Sequence, residues 1–216
     1  MKHVEPKTSN QALSFREYYK NKNLLLHGIA GTGKTFACFN LALKEILSGK
    51  SPYKKLFIIR SMVPGRDSGF LPGSLKEKAR VYEAPYAAIC AELFERGDAY
   101  DILKNRGIIE FPTTSYLRGV TFRDCMVIID EFQNANWQEI HTTITRIGEN
   151  CKVLVCGDTK QDDLTGKRRG ESSAALDVIK VIEKMPSFAI IRFGIEDIVR
   201  SDLVKEWILA TNKLGL

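Results

Sequence analysis

Long apolar runs are missing from this chain. No stretch of its 216 residues approaches the roughly 18 consecutive apolar residues that a membrane-spanning helix requires. The opening segment, Met1 to Asn10, is polar and lacks the apolar core of a signal peptide, so a cytoplasmic protein is expected. Paired-cysteine spacing is missing too. Cys38, Cys90, Cys125, Cys151 and Cys156 form no CxxC pair, which argues against a zinc site, and they are expected to be reduced and buried as small core residues. There is no internal repeat, no linker and no low-complexity tract, which predicts a single domain over residues 1–216 with its core at about 9–209. Hydrophobic residues make up 44% and charged residues 27%, the balance of a globular protein rather than a disordered one. The formal net charge of +6 is compatible with a polyanionic partner and equally with a surface that is merely solubilising.

Short apolar runs alternate with helical patterns. Strands are predicted at Asn23 to His27, Leu56 to Ile59, Ile108 to Phe111, Met126 to Ile129, Lys152 to Val155 and Phe188 to Arg192. Phe36, Phe39, Leu43, Ile46 and Leu47 have helical spacing and are stopped by Gly49. Pro85 suits the first turn of a helix running to about Arg96. Asn136 and Glu139 have capping-box spacing before Ile140, Ile144 and Ile147. Further helices are expected at Ser172 to Lys184 and Glu196 to Leu209, and the Gly- and Pro-rich stretch from Pro64 to Gly73 reads as a loop. The alternation implies an α/β fold with a mostly parallel sheet and helices on both faces.

The segment Gly28-Ile29-Ala30-Gly31-Thr32-Gly33-Lys34-Thr35 matches G-x-x-x-x-G-K-[ST] in full and lies between a predicted strand and a predicted helix. Glycines let backbone amides approach phosphate oxygens, and the following helix adds its N-terminal dipole. In this arrangement Lys34 reaches the β- and γ-phosphates of ATP and Thr35 offers its hydroxyl to Mg2+. The run Val127-Ile128-Ile129-Asp130-Glu131 ends a buried strand on two carboxylates, a costly place for them unless a cation waits there. Asp130 is expected to hold the Mg2+ shell and Glu131 to polarise the attacking water. A third strand leads into Gly157-Asp158-Thr159-Lys160-Gln161, where Gln161 is expected beside the γ-phosphate or the lytic water.

Together these runs resemble the PhoH family, a group of P-loop ATPases related to superfamily-one helicases. The likeness extends from about Ser9 to Leu209. It is carried by the glycine loop, Gly-Phe-Leu-Pro-Gly at 69–73, Leu-Arg-Gly at 117–119, Asp-Glu-Phe-Gln-Asn at 130–134, Thr-Arg-Ile-Gly at 145–148, Gly-Asp-Thr-Lys-Gln-Asp-Asp-Leu at 157–164 and Glu-Asp-Ile-Val-Arg at 196–200. Phe132 stands where the family usually has Ala or Ser, Ser61 where it usually has Pro, and Val63 to Ser68 departs from the common acidic-glycine form. These departures touch loop and partner details rather than the nucleotide chemistry.

The resemblance implies a single RecA-like P-loop NTPase core, assembly into a ring (typically a hexamer), and action on RNA or single-stranded nucleic acid. It implies that Gln11 reads the adenine edge, as a side-chain amide is able to do. For nucleic acid the candidates are Arg60, Arg66, Phe70 and Arg118, with Arg123 and the cluster Lys167-Arg168-Arg169 alongside; each reads equally well as solvated surface. With one core in place of a helicase's two, a ring would supply the catalytic arginine from a neighbouring subunit. The candidates are Arg200 and Arg146, with Arg200 preferred. The rival expectation is an ATP-binding regulatory or scaffold protein with little turnover.

Overall fold

The computed structural model describes residues 1–61, 75–112, 119–158 and 174–214. In chain order the elements are α1 (Ser9–Tyr19), β1 (Asn23–Gly28), α2 (Lys34–Leu47), β2 (Lys55–Arg60), α3 (Leu75–Phe94), α4 (Ala99–Asn105), β3 (Ile109–Glu110), β4 (Cys125–Asp130), α5 (Trp137–Ile144), β5 (Cys151–Gly157), α6 (Ala175–Ile182), β6 (Phe188–Phe193) and α7 (Asp202–Leu214). The six strands form one sheet in the order β3-β2-β4-β5-β1-β6, and every strand pairing is parallel. No described helix is long and apolar enough to cross a membrane.

Side chains alternate along each strand, so every central strand feeds two cores. Leu24, Leu26, Met126, Ile128, Leu154 and Cys156 pack on one face with Phe39 of α2, Tyr86 and Leu93 of α3 and Tyr100 of α4. Leu25, Val127, Ile129, Val153 and Val155 pack on the other with Ile140 of α5 and Val178 and Ile182 of α6. Each such aliphatic side chain, fully buried, stabilises the fold by about 1.5–3 kcal/mol. This is why the strands read as unbroken apolar runs: both faces are dry. Cys38, Cys90, Cys125 and Cys156 are free and buried as expected, whereas Cys151, at the outer end of β5, is half-buried.

Four local expectations change. Pro85 lies inside α3, which begins at Leu75, so it does not start a helix. The carbonyl that would have accepted from residue 85 is that of Val81, an exposed position where water is at hand. Second, the predicted strand at 108–111 pairs over two residues, Ile109 and Glu110. Third, the helix expected over 196–209 is split into a short 3-10 turn, Ile195–Asp197, and α7. The break has a cause in the tertiary structure: the Val199 N–H donates to the Gly31 carbonyl at 3.0 Å and is tied to the glycine loop. Last, α1 and α4 stand where no helix was expected, although Thr8 caps α1 by accepting from the Gln11 N–H. The capping box at α5 is present, with the Glu139 N–H donating to Asn136 Oδ1 at 2.9 Å and the Asn136 N–H to Glu139 Oε2 at 3.0 Å.

Candidate nucleotide site

All the parallel strands end at the same edge, and the crevice outside their carboxyl ends is where open α/β sheets bind ligands. The glycine loop leaves β1 there. Gly28 has φ +128°, and a Cβ on it would lie 2.1 Å from the Phe193 carbonyl oxygen of β6, so only glycine lets the loop depart at that point. The loop hands over to α2 at Gly33, and the first residues of that helix are Lys34 and Thr35.

Lys34 is 8% exposed. Its Nζ donates to the Ile29 carbonyl at 2.6 Å, the Gly28 carbonyl at 3.3 Å and Thr32 Oγ1 at 3.2 Å. Burial pulls its pKa below the usual lysine value, while the nearby Asp158, Cys156, Glu131 and Asp130 work in the opposite sense. The Thr35 hydroxyl donates to Asp130 Oδ1 at 2.9 Å, joining the start of α2 to the end of β4 across the intervening β5. Asp130 is 3% exposed and also accepts from the Cys156 thiol at 3.1 Å and from the Tyr86 hydroxyl at 2.9 Å.

Glu131 follows directly with a left-handed backbone, φ 50°, which turns its carboxylate away from the strand direction. Burial and the neighbouring Asp130 charge raise its pKa, and Gln133, Arg60 and Lys34 act against that rise. Gln133, 1% exposed, was quoted within its motif but given no task. Its Nε2 donates to Glu131 Oε2 at 2.6 Å and its Oε1 accepts from the Asp158 N–H at 3.0 Å, so it couples the ends of β4 and β5. Gly157 makes room for it: a Cβ there would sit 2.1 Å from Gln133 Oε1. The signal that could have found this role was its place in the Asp-Glu-Phe-Gln-Asn run, three residues past the end of β4.

These groups line one cavity of about 1030 Å³ that includes Ala30 to Thr35, Gln11, Arg60, Asp130, Glu131, Asp158 and Arg200. Its apolar lining residues include Val4, Phe15, Phe36, Pro85, Ala88 and Ile89. Gln11 borders the cavity with its amide already engaged: Oε1 accepts from the Lys7 N–H at 2.8 Å, and Nε2 donates to the Thr32 carbonyl at 3.0 Å. One lone pair and one N–H remain for a base.

Arg60 is half-buried and lines the cavity, where burial opposes its charge but the Tyr86 hydroxyl, Asp130 and Glu131 outweigh that and hold its pKa above the ordinary value. Arg200 lies over its own chain's glycine loop, its Cγ 3.0 Å from where a Cβ on Gly31 would stand. Arg146 follows α5 at the opposite edge of the sheet, its carbonyl accepting from the Phe122 N–H just before β4 begins. Arg66, Phe70, Arg118, Gln161 and the Lys167-Arg168-Arg169 cluster lie outside the described residues.

A family model described as "PhoH-like protein" matches residues 3–212. A PhoH-like protein of Bacillus subtilis (strain 168) is 35% identical over 218 residues, covering 98% of this chain and 65% of that protein. Protein PhoH of Escherichia coli (strain K12) is 33% identical over 194 residues, covering 88% of this chain and 53% of its own. The chain thus spans between about half and two thirds of the length of these relatives. Among solved structures, the Sulfolobus solfataricus SWI2/SNF2 ATPase core in complex with dsDNA superposes with a TM-score of 0.47 at 14% identity, covering 89% of this chain and 47% of that one.

Proposed function

This chain belongs to the PhoH family, and from that membership and the geometry of its cavity we propose that it binds ATP with Mg2+ and hydrolyses it. The observation that carries the reading is the Thr35–Asp130 hydrogen bond, which brings the glycine loop and the acidic strand end into one cavity with Lys34 and Glu131. Loop amides and the N-terminus of α2 favour phosphate. A hydroxyl and a carboxylate are hard oxygen donors, a set that suits Mg2+ rather than a thiophilic ion. Held by Thr35 and Asp130, Mg2+ would neutralise charge on the phosphate oxygens. Glu131 is assigned to take the proton of the attacking water, oriented by Gln133. Gln161 is assigned to the γ-phosphate by resemblance.

The wider reading is action on RNA or single-stranded nucleic acid, supported by the resemblance and the net charge of +6. ATPase activity measured with and without single-stranded RNA tests it. The rate should rise severalfold with RNA, and the rise should shrink with salt, because contacts to phosphates release counterions. Turnover indifferent to RNA at low salt would confine the function to ATP hydrolysis. Binding without turnover would instead favour the regulatory or scaffold alternative.

Ring assembly, a hexamer by resemblance, is the remaining part of the reading. Arg146 stands at the far end of strands about 20 Å long, so a nucleotide it touches would belong to a neighbouring chain. Arg200 is proposed to act on its own chain's nucleotide, since it already lines that cavity. Mixing Glu131→Gln subunits with Arg200→Ala subunits separates the two uses. With Arg200 acting in its own chain, co-assembled mixtures should show no more activity than the separate proteins. Recovered activity would transfer Arg200 to the neighbour's site, and a monomer at working concentration would remove the ring.

A further inference from the structure

Asp130 is held at both carboxylate oxygens. Oδ1 accepts from Thr35 of α2 and Cys156 of β5, and Oδ2 accepts from the Tyr86 hydroxyl of α3 at 2.9 Å. Tyr86 is fully buried. Its ring stacks on Phe39 with centroids 5.2 Å apart and planes within 9°, and meets Phe111 at 5.8 Å. The ring is therefore fixed by packing, and the hydroxyl is delivered to one point. A carboxylate's terminal torsion is soft, with broad wells, so bonds at one oxygen restrain it less tightly than bonds at both. The Tyr86 hydroxyl supplies the partner at the second oxygen.

An un-ionised phenol is a hydrogen-bond donor, and in the 2.9 Å contact Tyr86 donates and Asp130 accepts. Arg60 lies against the same hydroxyl, so Tyr86 sits between a guanidinium and the carboxylate it orients.

We propose that Tyr86 is a positioning residue for the metal site: its hydroxyl fixes the orientation in which Asp130 receives Mg2+ together with the nucleotide. The proposal rests on the ATP–Mg2+ reading above and makes a narrower claim. The loop amides and Lys34 touch phosphates with or without metal, whereas Asp130 would reach the nucleotide through the metal. Disturbing only the orientation of Asp130 should therefore reduce the metal-dependent part of ATP affinity and leave the metal-free part untouched.

Tyr86→Phe removes one oxygen and keeps the ring in its stack. ATP binding to the parent and the variant is measured by calorimetry in EDTA and again across a Mg2+ titration, with thermal melting alongside. Equal affinity is expected in EDTA. The gain in affinity on adding Mg2+ should be about 10-fold smaller in the variant, the scale of a lost hydrogen bond to a charged group. The Mg2+ midpoint should move to higher concentration in step. A gain equal to the parent's overturns the proposal, and so does a loss of the same size in EDTA and in Mg2+, which is what a packing role would give. Phe39→Leu loosens the same stack without touching the hydroxyl. If Tyr86→Phe melts early, a metal-specific loss absent from Phe39→Leu supports the proposal, and an identical loss in both overturns it. A parent protein that gains nothing from Mg2+ would instead remove the ATP–Mg2+ reading itself.

Discussion

Lys34→Ala is expected to weaken ATP binding by roughly 30- to 5,000-fold, which corresponds to about 2–5 kcal/mol for removing one partner of a buried, hydrogen-bonded charge pair. The lysine is nearly enclosed, and its ammonium is satisfied by two loop carbonyls and the Thr32 hydroxyl at the spot where the β- and γ-phosphates are assigned. Its charge is held there against the pull of burial by four neighbours, Asp158, Cys156, Glu131 and Asp130. The fold should survive the change. Alanine is the better helix former at the start of α2, and Asp130 keeps its Thr35, Cys156 and Tyr86 donors. Calorimetric titration of a variant whose circular dichroism matches the parent is the measurement. An unchanged affinity would sink the assignment of this loop to phosphate.

Glu131→Gln should separate binding from turnover. The amide keeps the size and a partner for Gln133 but cannot accept a proton from water, and losing such a group typically costs about 10²–10⁴-fold in rate. The variant should bind ATP–Mg2+ nearly as the parent does and hydrolyse it at least about 100-fold more slowly. The pH profile adds a second check. Burial, then the Asp130 charge, holds the Glu131 pKa above the usual carboxylate range. A base must be ionised to act, so the parent's rate should fall with falling pH through that raised value, at higher pH than an ordinary glutamate would give, and the variant should lack this limb. Stability runs the other way. A carboxyl whose folded pKa exceeds its unfolded one stabilises the fold below the unfolded value, and that contribution is lost as pH rises through the folded value. At neutral pH Glu131→Gln should therefore melt no lower than the parent. Turnover close to the parent's would move the water-activating role to another group.

Much of this site was legible residue by residue. The glycine loop, Lys34, Thr35, Asp130 and Glu131 stand in short contiguous runs whose spacing follows from local geometry: a strand, a tight turn, a helix start. The six apolar strands were legible for a related reason, since a parallel sheet covered on both faces needs continuous apolar runs and leaves them visible in the chain. Pro85 misled because a helix tolerates an interior proline where the freed carbonyl meets water, and nothing local reports that exposure. The helix drawn over 196–209 misled because its break comes from a hydrogen bond to Gly31, some 170 residues earlier in the chain.

The sequence by itself determined the fold class, the nucleotide loop, the acidic strand end and the family, because each is written in neighbours along the chain. The tertiary structure alone decided which distant groups attend them. Tyr86 reaches Asp130 from α3, Gln133 ties Glu131 to the end of β5, and Arg60 lines the same cavity. Arg200 lies on its own chain's loop because the segment before α7 is bonded to that loop. The physical reason is one of range. Backbone propensity and side-chain alternation act over a few residues, whereas the partners of a buried carboxylate are chosen by strand order and helix packing, which bring together residues that no local pattern relates.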